Sequence, residues 1–356
     1  FSRVRIENIQ LTRPITVDPE IGTDILVWAE VDVQITDSAL TIVRAGIYQP
    51  GISADTDSFS ATFFLGLHKK QPIYQSSLPE KPLDIDPESD LYRNTLLFQG
   101  RRFQRIKTIW SLESDNYTAT SSFTIAKKSL KETVSTAFSD SLHKTMILGD
   151  AFFRDSLLQS AAILVPQGTY LPVFIDRLDI YPDKTVETES GTINLVAKVE
   201  LLNKDEKEIK TFVVASKPDG TVLESLEGYR LRFLSHHDDY PTVADLVDPD
   251  MRDSHLVQTA LKHWARTLNI QVPHARIAYL PGMHSLSRKS RHQLEMPLIS
   301  KTVRQAIEAT STLSENFEIQ WHASGRPVVT SKERLDLQVS LSHDDQLCLV
   351  IAGKGI

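Results

Sequence analysis

An α+β fold divided into at least two units follows from three features of the 356-residue chain: strand-like alternation, one buried helix ahead of a second set of strands, and a change of pattern near residue 236. In Ile25–Ile35 the residues Ile25, Val27, Ala29, Val31, Val33 and Ile35 alternate with Leu26, Trp28, Glu30, Asp32 and Gln34. That period of two predicts a half-buried strand. Further strands are predicted over 40–48, 60–68, 103–113 and 118–126, and Pro72, Pro79, Pro82 and Pro87 with Asp84 and Asp86 predict a long surface loop between them. In 150–164, Phe153, Leu157, Ala161 and Leu164 recur at helical spacing. Phe152, Leu158, Ala162 and Ile163 fill the flanks, so this helix is expected to be buried nearly all round until Pro166 stops it. Strands are then expected at 170–181, 193–203, 208–216 and 221–234, with a turn at Pro218-Asp219-Gly220. One buried helix followed by antiparallel strands describes an α+β roll.

The polar run His236-His237-Asp238-Asp239-Tyr240-Pro241 reads as a linker, which is a plainer account of its His and Asp residues than a metal site. Beyond it, 252–269 is amphipathic, with Leu256, Ala260, Leu261, Trp264 and Leu268 on one side. A second helix is predicted at 299–310 and strands at 316–323, 335–341 and 346–352, a separate α+β unit. The expected division is 1–145, 146–236 and 237–356.

Composition narrows the function classes. Hydrophobic residues make up 41% and charged residues 24%, ordinary for a globular chain. No apolar run has the length of a membrane span, so a membrane role is not expected. Lys and Arg number 39 against 46 Asp and Glu, a net charge of -7 that gives no electrostatic support to nucleic-acid binding. The single cysteine, Cys348, excludes an internal disulfide framework and a cysteine-based zinc site, and a reducing, cytoplasmic setting is expected. The chain opens on Phe1 and closes on Ile356, and both ends read as cut from something longer.

Two groups of residues carry family resemblances. Leu91-Tyr92-Arg93-Asn94-Thr95-Leu96-Leu97-Phe98-Gln99-Gly100-Arg101-Arg102-Phe103-Gln104 is followed by Asp155-Ser156-Leu157-Leu158-Gln159, by Leu171-Pro172-Val173, and by Leu226-Glu227-Gly228-Tyr229-Arg230-Leu231-Arg232. In this order, across about 1–235, they resemble the dehydratase domain of a polyketide synthase. The resemblance implies a double hot-dog fold, two antiparallel sheets each wrapping a helix, with 1–145 the first half and 146–236 the second. It implies dehydration of a carrier-bound β-hydroxyacyl thioester to the enoyl form. That chemistry asks for a base at the α-carbon and an acid at the departing hydroxyl. Asp155 matches the family's acid, and Gln159, four residues on and so on the same helix face, is its orienting partner. Burial on the helix would favour the protonated carboxyl; the alternative is an N-terminal helix residue satisfied by backbone amides. Gly100, Phe103 and Pro172 are expected to shape the acyl channel.

The family's base is a histidine in an H-x-x-x-G-x-x-x-x-P box, and the sequence holds none: His68 precedes Lys69-Lys70-Gln71-Pro72, and His143 has Ile147 at the glycine position. The expectation is that the chain starts after the box. Gln99 and Arg101 also depart from the family's aromatic or histidine and proline.

The second resemblance lies in Trp321-His322-Ala323-Ser324-Gly325-Arg326-Pro327 and Val339-Ser340-Leu341-Ser342-His343, which look like the first lobe of a 4′-phosphopantetheinyl transferase. It implies that Gly325, Arg326, Pro327, Ser342 and His343 bind coenzyme A, with magnesium ligands expected beyond the chain end. A fork of Arg donors, a hydroxyl and an imidazole suit phosphate. The cluster Arg288, Lys289 and Arg291 reads first as a solvated helix face. A dehydratase followed by such a transferase resembles the enediyne-type iterative synthases. The implied partners are an acyl carrier protein bearing phosphopantetheine, neighbouring synthase domains and a second copy in a homodimer. The rival readings are a non-catalytic hot-dog scaffold and the dehydratase-like region of a polyunsaturated fatty acid synthase.

Overall fold

The computed structural model describes residues 3–35, 40–51, 56–67, 70–75, 77–93, 96–115, 118–127, 148–181, 191–201, 208–309, 316–331, 337–344 and 346–354. They form two compact units, Phe1–His237 and Asp238–Ile356.

In Phe1–His237 ten strands make one antiparallel sheet. In chain order they are β1 (Arg3–Leu11), β2 (Leu26–Ile35), β3 (Leu40–Tyr48), β4 (Phe59–Leu67), β5 (Ile106–Ser114), β6 (Thr118–Lys127), β7 (Gly168–Ile180), β8 (Gly191–Leu201), β9 (Glu208–Ser216) and β10 (Val222–His236). The order across the sheet is β2-β3-β4-β1-β7-β10-β9-β8-β6-β5. The two sheets expected therefore run on as one, joined where β1 pairs with β7 in the register Val4↔Ile180 and Ile6↔Leu178. Asp179 pins that seam, accepting from Arg3 Nε at 3.1 Å and Arg5 Nε at 3.0 Å while almost fully buried. Strands β5 and β6, placed by sequence in the first half, pair through β8 with the second.

Helix α1 (Ala151–Leu164) packs on β5, β6, β8 and β9. Leu157, Ala161, Ile163, Phe123, Ile125, Leu195, Ala197 and Val213 are inaccessible to solvent. The all-round burial expected of this helix is met, with Ser156, Gln159 and Ser160 buried on its remaining faces. Asp150 caps it by accepting from the backbone amides of Phe152 and Phe153.

Two expectations for this unit change. Strand β2 is not half-buried: Leu26, Val27 and Val31 are 48%, 67% and 62% exposed, because β2 is the sheet edge and alternation alone does not say which strand is outermost. The proline-rich stretch is not a surface loop throughout, since a single π-helical turn at Pro87–Arg93 carries Leu91 and Tyr92 inward and Leu97 follows them.

In Asp238–Ile356 the helices are α2 (Val243–Val247), α3 (Pro249–Leu268) and α4 (Arg288–Glu308). The strands are β11 (His274–Tyr279), β12 (Phe317–Trp321), β13 (Pro327–Ser331), β14 (Gln338–His343) and β15 (Leu347–Gly353). A three-stranded sheet runs β11-β15-β14, and β12 and β13 form a hairpin. Ile299, Val303, Ala306 and Ile307 of α4 pack on Val339, Cys348, Val350 and Ala352.

Helix α3 corrects a further expectation. Trp264 and Leu268 of its apolar stripe are 63% and 67% exposed. The helix meets β11 with its polar residues instead. Asp250 Oδ1 accepts from Tyr279 N at 2.7 Å, Ser254 Oγ from Ile277 N at 2.9 Å, and Gln258 Oε1 from Ala275 N at 2.8 Å. Acceptors spaced four residues apart on the helix thus meet every second amide along the strand edge, which closes an edge that β15 covers on the other side only. Helix α4 begins earlier than predicted and continues through Pro297, whose missing amide breaks one helical hydrogen bond without ending the helix.

Candidate functional site

In Phe1–His237 the site builds outward from α1. Asp155 lies one turn past the capped start and is half-buried. Backbone amides at the helix start are taken by Asp150, so the capping alternative belongs to that residue and not to Asp155. Gln159, 1% exposed, donates from Nε2 to Asp155 Oδ2 at 2.7 Å and to the Phe103 carbonyl at 3.0 Å. Its Oε1 accepts from the Tyr92 hydroxyl at 2.8 Å. The Phe103 carbonyl can only accept, so the Gln159 amide has one possible orientation: NH2 towards Asp155, oxygen towards Tyr92. Packing supports the same arrangement, since the Phe103 ring meets Phe152 of α1 edge-on at 4.7 Å between centroids.

Burial raises the Asp155 pKa above its ordinary 3.8, and the hydrogen bond from Gln159 opposes that rise without cancelling it. Burial also pushes the Tyr92 hydroxyl up to about 12, with the Asp155 charge adding to it. The Tyr229 hydroxyl on β10 is raised as well, by burial first and then by Asp155. Both phenols therefore stay protonated beside the carboxyl. The arrangement can hold a carboxylic acid in one orientation and keep it protonated to higher pH than an exposed aspartate.

The other residues expected here are scattered. Gly100 is exposed, and its carbonyl accepts from Phe103 N in the turn before β5. Pro172 is half-buried on β7, opposite Leu231 where the β7–β10 register shifts. His68 and His143 lie outside the described residues. Tyr92 and Tyr229 stand inside the quoted strings without an assigned role. The signal that could have found Tyr92 is a tyrosine in an apolar string that a buried glutamine must satisfy.

In Asp238–Ile356 the turn joining β12 to β13 is closed by Gly325 N donating to the His322 carbonyl at 2.8 Å and His322 N to the Arg326 carbonyl at 2.9 Å. Gly325 has φ +88, and a Cβ there would come within 2.8 Å of Arg288 Nη2. Only glycine suits both constraints. Arg288, Lys289, His292, Trp321 and His322 line an open cavity of about 750 Å³ beside this turn. Arg288 and Lys289, read as part of a solvated face, are exposed and edge this cavity. His292 stacks on Trp321 at 3.6 Å, and its pKa is lowered by burial and by Arg288 and Arg291. Arg326 and Pro327 line a second cavity of about 460 Å³ with Leu337 and Val339. Ser342 and His343 end β14, and the contact described for the His343 ring runs to Glu295 of α4, at 3.4 Å.

Residues 72–240 match the family described as polyketide synthase dehydratase N-terminal domain. That segment is similar to the family over rather less than half of the chain. Among solved structures the chain is similar to the dehydratase domain from the CurJ module of curacin polyketide synthase, at 12% identity and TM-score 0.46 over 65% of this chain and 75% of that one. It is similar to the dehydratase domain of RzxB from Pseudomonas fluorescens, at 11% identity and TM-score 0.41 over 65% and 76%. It is also similar to a trans-AT polyketide synthase dehydratase domain from Brevibacillus brevis, at 15% identity and TM-score 0.44 over 66% and 77%. No curated protein matches the chain.

Proposed function

We propose that Phe1–His237 supplies the proton-donor half of a polyketide synthase dehydratase acting on a carrier-bound β-hydroxyacyl thioester. The observation that carries this reading is the raised pKa of Asp155 together with the Gln159 amide that holds its Oδ2. With Oδ2 occupied, Oδ1 carries the proton to the β-hydroxyl. The C–O bond breaks and water leaves. The α-proton passes to a base, the C–H electrons become the new double bond, and the carboxylate left behind is held by Gln159. The resemblance assigns the base to a histidine box that this sequence does not contain, so the reading covers the acid and its supports. Tyr92 acts through Gln159 as a positioning residue.

For Asp238–Ile356 the reading is a coenzyme A-binding lobe of the phosphopantetheinyl transferase type. The Gly325-Arg326-Pro327 turn and the Ser342-His343 strand end support it by residue type. Among the described residues no group of three or more His, Cys, Asp or Glu side chains could hold a metal ion, and the reading is confined to binding. The enediyne-type assignment and the homodimer stand as proposals on the resemblance alone.

The dehydratase reading is tested by incubating the intact synthase with a 3-hydroxybutyryl-loaded carrier protein. Enoyl product that disappears in D155N supports it, and product that persists overturns it. The lobe is tested by calorimetric titration with coenzyme A, where heat of binding supports the reading and its absence overturns it.

A further inference from the structure

Glu295 is the one buried acid among the described residues of Asp238–Ile356, at 1% exposure. Neither of its carboxylate oxygens has a hydrogen bond. A carboxylate so placed is costly unless a charge faces it. The group that faces it is His343, whose Nδ1 stands 3.4 Å from Oε1, close enough for an ion pair though not aligned as a hydrogen bond. The other titratable neighbours do not serve that purpose. Cys348, opposite His343 on β15, has its thiol pushed up to about 12 by burial and then by the Glu295 charge, so it stays neutral. His292, one turn back on α4, feels the same carboxylate, but burial, Arg288 and Arg291 hold its pKa down. Asp344, next along from His343, is turned to the backbone amides of Gln346 and Leu347.

We propose that Glu295 is a positioning residue that holds the Nδ1–H edge of His343 and so fixes the direction in which Nε2 meets a phosphate of coenzyme A. This rests on the coenzyme A reading of the lobe and deepens it. An imidazole with one nitrogen fixed by a carboxylate has a defined ring direction, and its other nitrogen then meets a ligand without reorganisation. The partly exposed ring, 29% accessible, bridges the buried carboxylate and solvent as that role requires. Nothing in the sequence marks this glutamate, because a charged residue in a helix rich in Lys and Arg reads as solvated.

Two variants and one spectroscopic signature test the assignment. Replacing a buried, poorly satisfied charge by an apolar or amide group is often neutral or stabilising, so E295L and E295Q are expected to keep or raise the melting midpoint. Affinity for coenzyme A should nonetheless fall about tenfold in E295L, the loss of one charge-assisted contact, and by less in E295Q, whose amide oxygen can still accept from Nδ1–H. In long-range 1H–15N spectra of histidine-labelled protein, with His343 assigned from H343Q, Nδ1 should be protonated in the unchanged chain and should lose that proton in E295L. Unchanged affinity with an unchanged His343 spectrum overturns the proposal. So does an unprotonated Nδ1 in the unchanged chain, which settles the matter even where a variant fails to fold. If the unchanged chain does not bind coenzyme A but His343 still responds to E295L, the pairing holds and the ligand assigned to it falls.

Discussion

Replacing Asp155 by asparagine separates chemistry from packing. The amide side chain would keep the shape and an oxygen that can accept from Gln159 Nε2, the bond of 2.7 Å, and would lose the transferable proton. A positioned general acid contributes roughly 100- to 10,000-fold, so the dehydration barrier should rise by about 3 to 5 kcal/mol. Stability should move by less than about 1 kcal/mol, because one hydrogen bond is retained in altered form. Its sign follows from the raised pKa of Asp155. The folded chain holds that proton more tightly than the unfolded chain, so the ionised carboxyl is a cost that grows as pH rises above 3.8 and is complete above the folded pKa. The variant carries no such cost and should melt level with the parent in acid and slightly above it at neutral pH. The assay is hydration of a crotonyl-loaded carrier by the intact synthase, read by chromatography beside a thermal melt. Turnover equal to the parent would refute the acid role. Turnover lost together with a melting midpoint several degrees lower would refute the separation of chemistry from packing.

Three other substitutions probe the supports. Tyr92→Phe removes the hydroxyl that satisfies Gln159 Oε1, so it should cost about 1–3 kcal/mol in denaturant unfolding and about tenfold in dehydration. Leu157→Ala empties a fully buried site on α1 and should cost about 2–5 kcal/mol in the same unfolding measurement. Gly325→Ala meets both the positive φ and Arg288, and should weaken coenzyme A binding by calorimetry while the far-ultraviolet spectrum holds.

Much of the architecture is legible in the residues because it rests on local periodicity. The strand at 40–48 and the helix before Pro166 lie where alternation and helical spacing put them. What periodicity could not show is how elements are ordered in space. The exposure of Val27 and Val31 follows from β2 being outermost, a property of topology. Strand β11 escaped notice because its backbone is satisfied by side chains of α3, and Asp250, Ser254 and Gln258 look like any polar helix face. The helix predicted at 299–310 starts earlier, at Arg288, and runs through Pro297, to which only one amide is lost. At the site, the spacing of Asp155 and Gln159 is visible in one dimension, being four residues on a helix. Tyr92 reaches Gln159 across 67 positions of chain, and no local pattern records that contact.

The most direct test is the ionisation of Asp155 itself, followed through the 13C shift of its carboxyl carbon across pH and assigned by the signal lost in D155N. A midpoint clearly above 3.8 is the result expected of a half-buried acid held by Gln159. A midpoint at or below 3.8 would mean that the carboxyl is simply a charged, solvated group, and the proton-donor account would fail.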